Sequence, residues 1–287
     1  MDAAVLQFFG SIRCPVLDAF FQAVTALGEE TVVAAVVALV YLCFSRRTGE
    51  QALLTVLTAS CLATCVKGTV RRVRPFAAGT VTRVETDGFL VSTMDLDADM
   101  SFPSGHATAT GAFLSALSLR TRKTAVCVLS VPAALLVGCS RLYLGVHYLS
   151  DVLTGLALGF LCALVWQIVY TRFYGARLYL FALFALLMLL PLLFTRTATD
   201  SMFRIAALAA GTAAGLLFED AAARLPEATG WKMRVLRLFV TALCAAAVFV
   251  PLHFLLPDLP DCTFAQYALA VFAAVGPASL LLKKLRL

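Results

Sequence analysis

In the stretch SRLYLGVHYLSD, residues 140–151, an arginine, a histidine and an aspartate lie within eleven positions between two long apolar runs. Ionisable side chains at membrane depth are costly and are rarely kept without a task. His147 and Asp151 are four apart at the expected start of a helix, so they share one face. Asp151 can accept the proton on one imidazole nitrogen and leave the other free to attack an electrophile. Arg141 lies just before them, and its planar fork matches phosphate oxygens two at a time. The same spacing also suits a buried hydrogen-bonded pair or two metal ligands. A metal would want further ligands nearby, yet the chain has only three histidines and the third, His253, belongs to a later apolar segment.

Two other stretches hold chemically capable residues. In SFPSGHATAT, Pro103 suits the first position of a helix. The amides of Ser104, Gly105 and His106 would then be unpaired donors at its N-terminus, a natural anion cradle. Gly105 allows a ligand close to the backbone. A plain capped helix start with an incidental histidine fits these residues equally well. In KGTVRRVRP, Lys67 and Arg74 add two cations, whereas Arg71, Arg72 and Arg83 are expected to contact lipid headgroups. Cations, amides and two histidines on one face are what phosphoryl transfer requires: charge neutralisation, a nucleophile and an acid for the leaving group.

The elements that must hold these residues follow from composition. Of 287 residues, 61% are hydrophobic and 14% charged, against about 25% charged in soluble domains. This describes an all-α, polytopic bundle of transmembrane helices. Spans are expected at about 29–45, 50–67, 104–119, 124–142, 148–170, 177–194, 201–218, 235–256 and 263–282, nine in all. The first 28 residues lack a basic region followed by a clean apolar core, so they read as an interfacial amphipathic helix and not a cleavable signal. Gly155/Gly159 and Gly211/Gly215 have the spacing of close helix packing. The nine cysteines show no metal-binding spacing and read as small apolar packing residues. The net charge of +6 comes from residues at segment ends, where headgroups and topology explain it without nucleic acid. Fourteen of the 23 Lys and Arg fall on one side of this span order and nine on the other. The side holding Lys67 to Pro103 and Arg141 to His147 is therefore expected to be non-cytoplasmic.

Together, KGTVRRVRP, PSGH and SRLYLGVHYLSD resemble the type 2 phosphatidic acid phosphatase (PAP2) superfamily, which also includes the vanadium haloperoxidases. All three motifs occur in order and without departure, and the resemblance covers about residues 50–170. It implies a core over 29–175 and leaves 176–287 as additional transmembrane helices of unassigned role. It further implies that His147 forms a phosphohistidine, that Asp151 orients it, and that His106 protonates the leaving oxygen and then activates water. Lys67, Arg74, Ser104, Gly105 and Arg141 would hold the phosphate, with no metal or cofactor. The expected activity is hydrolysis of a lipid phosphate of the phosphatidic acid, phosphatidylglycerol phosphate, undecaprenyl diphosphate or sphingoid-base phosphate type. The alternatives are a soluble substrate such as a sugar phosphate, or a non-enzymatic lipid-binding or transport protein.

Overall fold

The computed structural model describes residues 2–84, 100–194, 200–223, 230–257 and 259–285. Every regular element among them is helical. The chain forms two compact units, one of Met1–Ala38 with Glu50–Thr171 and one of Leu39–Gly49 with Arg172–Leu287.

The first unit contains α1 (Asp2–Ser11), α2 (Pro15–Ala26), most of α3 (Glu30–Leu39) and of α4 (Arg46–Val70), then α5 (Gly105–Thr121), α6 (Thr124–Tyr143) and α7 (Leu149–Arg172). Polar side chains tie α4 to α7. Gln51 Nε2 donates to Gln167 Oε1 at 2.8 Å, Trp166 Nε1 donates to Thr58 Oγ1 at 2.8 Å, and the Tyr170 hydroxyl donates to Glu50. Interhelical bonds of this kind contribute about 1 kcal/mol each in a membrane. The threonines of α4 remain tolerable there because their hydroxyls turn back to carbonyls one turn earlier, as Thr55 does to Gln51 O at 2.8 Å. Gly155 and Gly159 let α7 press on α5, as their spacing suggested. A Cβ at Gly159 would stand 2.4 Å from Ala112 N, and one at Gly155 would stand 2.8 Å from Ser104 O.

The segment expected as one interfacial helix over 1–28 is instead two helices packed on α6. Pro15 cannot continue α1 and starts α2. Arg13 between them donates to Tyr143 O at 2.8 Å, and the Tyr143 hydroxyl donates to Asp18 at 2.6 Å. Beyond α2 the chain breaks at Leu27–Glu29 and continues through α3 into a π-helical turn at Val40–Phe44, the two halves bent by 53°.

The second unit adds α8 (Arg177–Phe194), α9 (Asp200–Ala222), α10 (Trp231–Leu255), α11 (Pro260–Val275) and α12 (Pro277–Lys284). The second glycine pair also serves packing, since a Cβ at Gly211 would stand 2.4 Å from Ala268 O on α11. Buried Glu219 on α9 receives Arg46 and, at 3.1 Å, the Tyr41 hydroxyl.

Six helices among the described residues are long and apolar enough to cross a membrane, seven if the bent pair is one span. The protein is an integral membrane protein, with fewer full-length apolar spans among the described residues than the nine expected. α5 has 17 residues, with two Thr and two Gly in its first half. The expected first span, 29–45, is one half of the bent pair. Arg196, Arg224 and Arg286, which entered the charge count, lie outside the described residues, as does 85–99 within the expected loop from Lys67 to Pro103.

Candidate active site

The turn between α6 and α7 delivers the histidine. Gly145 reverses the chain at φ +75°, and a side chain there would meet Thr82 O at 2.8 Å and Arg13 Nη2 at 2.9 Å, so only glycine fits. His147 follows, two residues before α7 and not on it. Its ring is 1% exposed. Asp151, on the first turn of α7, is fully buried and accepts Tyr148 N at 2.8 Å, closing the helix start as an N3 residue of a capping box does.

The acceptor for the imidazole is a correction to the sequence reading. Nδ1 lies 2.8 Å from the Ser101 carbonyl and 3.7 Å from Asp151 Oδ2, so the carbonyl, and not the carboxylate, is at hydrogen-bond distance. Asp151 is already engaged by Ser101 Oγ, Tyr148 N and Arg72, whose Nη1 donates to Oδ1 at 2.7 Å. Arg72 was expected to reach headgroups. It also donates to Asp2 Oδ2 at 3.0 Å and lies over the Tyr148 ring at 3.8 Å. Its neighbour Arg71 is exposed and bonds its own helix end, Gly68 O, at 3.0 Å. No spacing rule separates the two arginines, because α4 ends at Val70 and the irregular chain beyond it aims only one of them inward.

With a proton on Nδ1 toward Ser101 O, the lone pair of His147 sits on Nε2. That nitrogen faces Arg74 Nη1 at 3.4 Å, and Arg74 also donates to Val146 O at 3.2 Å. Burial and the charges of Arg74, Arg141 and Lys67 hold the His147 imidazole well below its ordinary pKa. The ring is therefore neutral near pH 7.

Pro103 precedes the helix it was expected to begin. Ser104 is the N-cap of α5, with its hydroxyl turned to Ala107 N at 3.5 Å. The Ser104 amide is not open either, since it donates to Asp151 O at 3.1 Å. Among the described residues this leaves the Gly105 and His106 amides as the open donors, and a Cβ on Gly105 would meet nothing within 4 Å. That space suits an anion.

His106 and His147 feel the same two cations, Lys67 and Arg141. Arg141 is 4% exposed, and its Nη1 donates to Thr25 Oγ1 at 2.6 Å. Thus Lys67, Arg74, Gly105, His106, Arg141, His147 and Asp151 form one cluster, whereas Ser104 serves it as a helix cap. Among the described residues no group of three or more His, Cys, Asp or Glu is placed to hold a metal ion.

Residues 48–174 match the model of the PAP2 superfamily, and this segment is similar to that superfamily. The chain is 43% identical over 72 residues to a lipid A 1-phosphatase of Rhizobium etli, covering 25% of this chain and 30% of that protein. It is 28% identical over 173 residues to phosphatidylglycerophosphatase B of Bacillus subtilis, covering 56% of this chain and 78% of that one. The crystal structure of a transmembrane PAP2 type phosphatidylglycerolphosphate phosphatase from Bacillus subtilis aligns with a TM-score of 0.49 at 25% identity, covering 60% of this chain and 85% of that chain. The match to the Rhizobium protein thus spans less than a third of its length.

Proposed function

We propose that the protein is a membrane phosphatase that hydrolyses a lipid phosphomonoester or diphosphate through a phosphohistidine. The observation that carries this is the orientation of His147: a buried, neutral ring tied at Nδ1 to a carbonyl, with its Nε2 lone pair facing a guanidinium. A phosphate drawn to Arg74, Arg141, Lys67 and the amides at Gly105 and His106 presents phosphorus to Nε2. The N–P bond forms as the P–O bond to the lipid breaks, and His106 gives its proton to the departing oxygen. A water then loses a proton to His106, its oxygen bonds phosphorus, and the N–P bond breaks to restore His147. No metal enters these steps, because the cations are side chains.

Two kinds of support favour a lipid substrate: the site's residues stand at the ends of apolar helices, and the similar proteins are named for lipid A and for phosphatidylglycerophosphate. The excess of Lys and Arg on the opposite loops supports a site facing the non-cytoplasmic side of a cell membrane. The core would lie in 29–175, with 176–287 additional to it.

The test is phosphate release from a panel of lipid phosphates, a diphosphate and a sugar phosphate in detergent, with and without chelator. Lipid phosphates should turn over at an unchanged rate in chelator. No release from any substrate would favour a binding or transport protein, and restoration by magnesium or zinc would overturn the mechanism. Intact cells should hydrolyse a membrane-impermeant phosphomonoester; hydrolysis only after lysis would reverse the orientation.

A further inference from the structure

The two histidines of the cluster have different partners. His147 has a neutral acceptor, the Ser101 carbonyl, at 2.8 Å. His106 has a carboxylate: its Nε2 lies 3.2 Å from Glu29 Oε1. Glu29 is 8% exposed and comes from the break between α2 and α3, outside the segment matched to the superfamily. The break is pressed on the ring itself, since a Cβ at Gly28 would stand 3.2 Å from His106 Cβ and Cδ2 and 2.7 Å from Val137. One turn earlier, fully buried Thr25 takes the Arg141 guanidinium. The stretch TALGE, residues 25–29, therefore reaches two members of the cluster at once. Irregular backbone at membrane depth is tolerated where it lines a protein cavity, and a broken span places backbone and side chains there.

We propose that Glu29 is a positioning residue for His106: it orients the ring through Nε2, favours the imidazolium over the neutral ring, and leaves Nδ1 to serve the leaving oxygen. This rests on the phosphohistidine reading above. A carbonyl orients an imidazole with little preference for its cation, whereas a carboxylate also stabilises the cation. The partners thus fit a neutral nucleophile and an acid with a carboxylate beside its cation. The charges facing His106 are Glu29 from the α2–α3 break, Lys67 from α4, Arg141 from α6 and the His147 ring from the α6–α7 turn. Three of these are cationic or neutral, so Glu29 alone among them favours the imidazolium.

The experiment compares Glu29→Gln with the parent on two substrates, a short-chain phosphatidic acid and p-nitrophenyl phosphate, across pH. The alkoxide of the first needs a proton to depart and the nitrophenolate does not. Glu29→Gln should lower kcat on the lipid about 10²-fold and on the aryl phosphate less than tenfold. A general acid must be protonated, so losing its carboxylate should move the alkaline limb for the lipid to lower pH by about one unit. Glu29→Asp, which keeps the charge, should restore the limb and part of the rate, and it serves also if the glutamine variant does not fold. Equal losses on both substrates with an unmoved limb, or parent-like rates, overturn the role of Glu29. His147→Ala and His106→Ala are run beside them. If the first is inactive and the second shows the leaving-group selectivity, the underlying reading stands whatever Glu29 does. An active His147→Ala, or a His106→Ala without selectivity, overturns that reading and the Glu29 role with it.

Discussion

Each unit buries charge among apolar helices, and the surroundings of that charge differ. In the second unit, Glu219 is 3% exposed and is gripped by Arg46 and Tyr41, with the Arg237 charge close by. In the first unit, Asp151 is gripped just as fully, by Arg72, Ser101 and Tyr148. Beside Asp151, however, stands the His147 imidazole, and the same cluster holds His106 and an open helix N-terminus at Gly105. Among the described residues no imidazole lines the pocket beside Glu219, whose lining includes Tyr41, Cys43, Ser45, Arg46, Arg237 and Thr241. A buried ion pair is a means of fixing helices; the first unit adds to it two imidazoles beside several cations and open helix amides. On this comparison substitutions in the first unit cost chemistry, and substitutions in the second cost stability.

The most damaging change should be His147→Ala. Turnover of any phosphate ester should fall on the order of 10⁴–10⁶-fold, as when a nucleophile is removed elsewhere. Rapid quenching without acid, after incubation with labelled substrate, should trap label on the parent and none on the variant. Label mapped to another residue would remove the first unit's claim to the reaction.

Arg72→Gln should come next, with kcat lowered about 10²-fold. Asp151 would lose its charge partner, and the bonds it shares with Ser101 and Tyr148 bracket His147 on both sides. Exposed Arg71→Gln is the control and should stay within about twofold of the parent. Equal behaviour of the two variants would restore the expectation that both only meet headgroups.

That pair also marks where the sequence could be read and where it could not. The cations Lys67, Arg74 and Arg141 and both histidines were visible chiefly through the three motifs that resemble the PAP2 superfamily, which stand near the ends of apolar segments. The two glycine pairs were visible because residues four apart share a helix face. Arg72 was not legible, since its direction depends on the irregular chain after Val70. Ser101 was hidden because its carbonyl carries no residue-specific signal. Glu29 and Thr25 lie in what looked like an interfacial helix and the start of the next span. Their importance depends on a break that GEE announces only weakly. The span count came from apolar length alone, which leaves a 17-residue helix such as α5 at the lower limit for crossing.

A smaller effect is expected in pH dependence. His147 is held below its ordinary value by burial and then by Arg74, Arg141 and Lys67, so the acid limb of kcat/KM should fall below about pH 6.5. Arg74→Gln should move that limb upward by about one unit, toward the ordinary value, because one of the opposing cations is gone. The same linkage acts on stability. Between the depressed value and about 6.5 the unfolded chain binds a proton that the folded one does not, so stability rises with pH there and falls as pH drops below about 6.5. Thermal unfolding in detergent between pH 5 and pH 8 checks the sign, and a midpoint that rises on acidification would contradict it.

The smallest effect on activity should come from the second unit. Glu219→Gln keeps the shape of the side chain and removes its charge, leaving Arg46 and Arg237 without the carboxylate between them. Breaking a buried ion pair by removing one partner costs about 3 kcal/mol or more, chiefly because the remaining charge stays out of water. For a chain of this size the apparent Tm in detergent should drop by roughly 5–10 °C. The rate per folded molecule should remain within about twofold of the parent, because no atom of the Glu219 cluster belongs to the set around His147 and His106. Size-exclusion recovery after heating, paired with phosphate release normalised to the monodisperse peak, measures the two quantities separately. A large loss of rate at an unchanged Tm would mean that the charges around Glu219 act on the reaction, and the distinction between the units would fail at that residue.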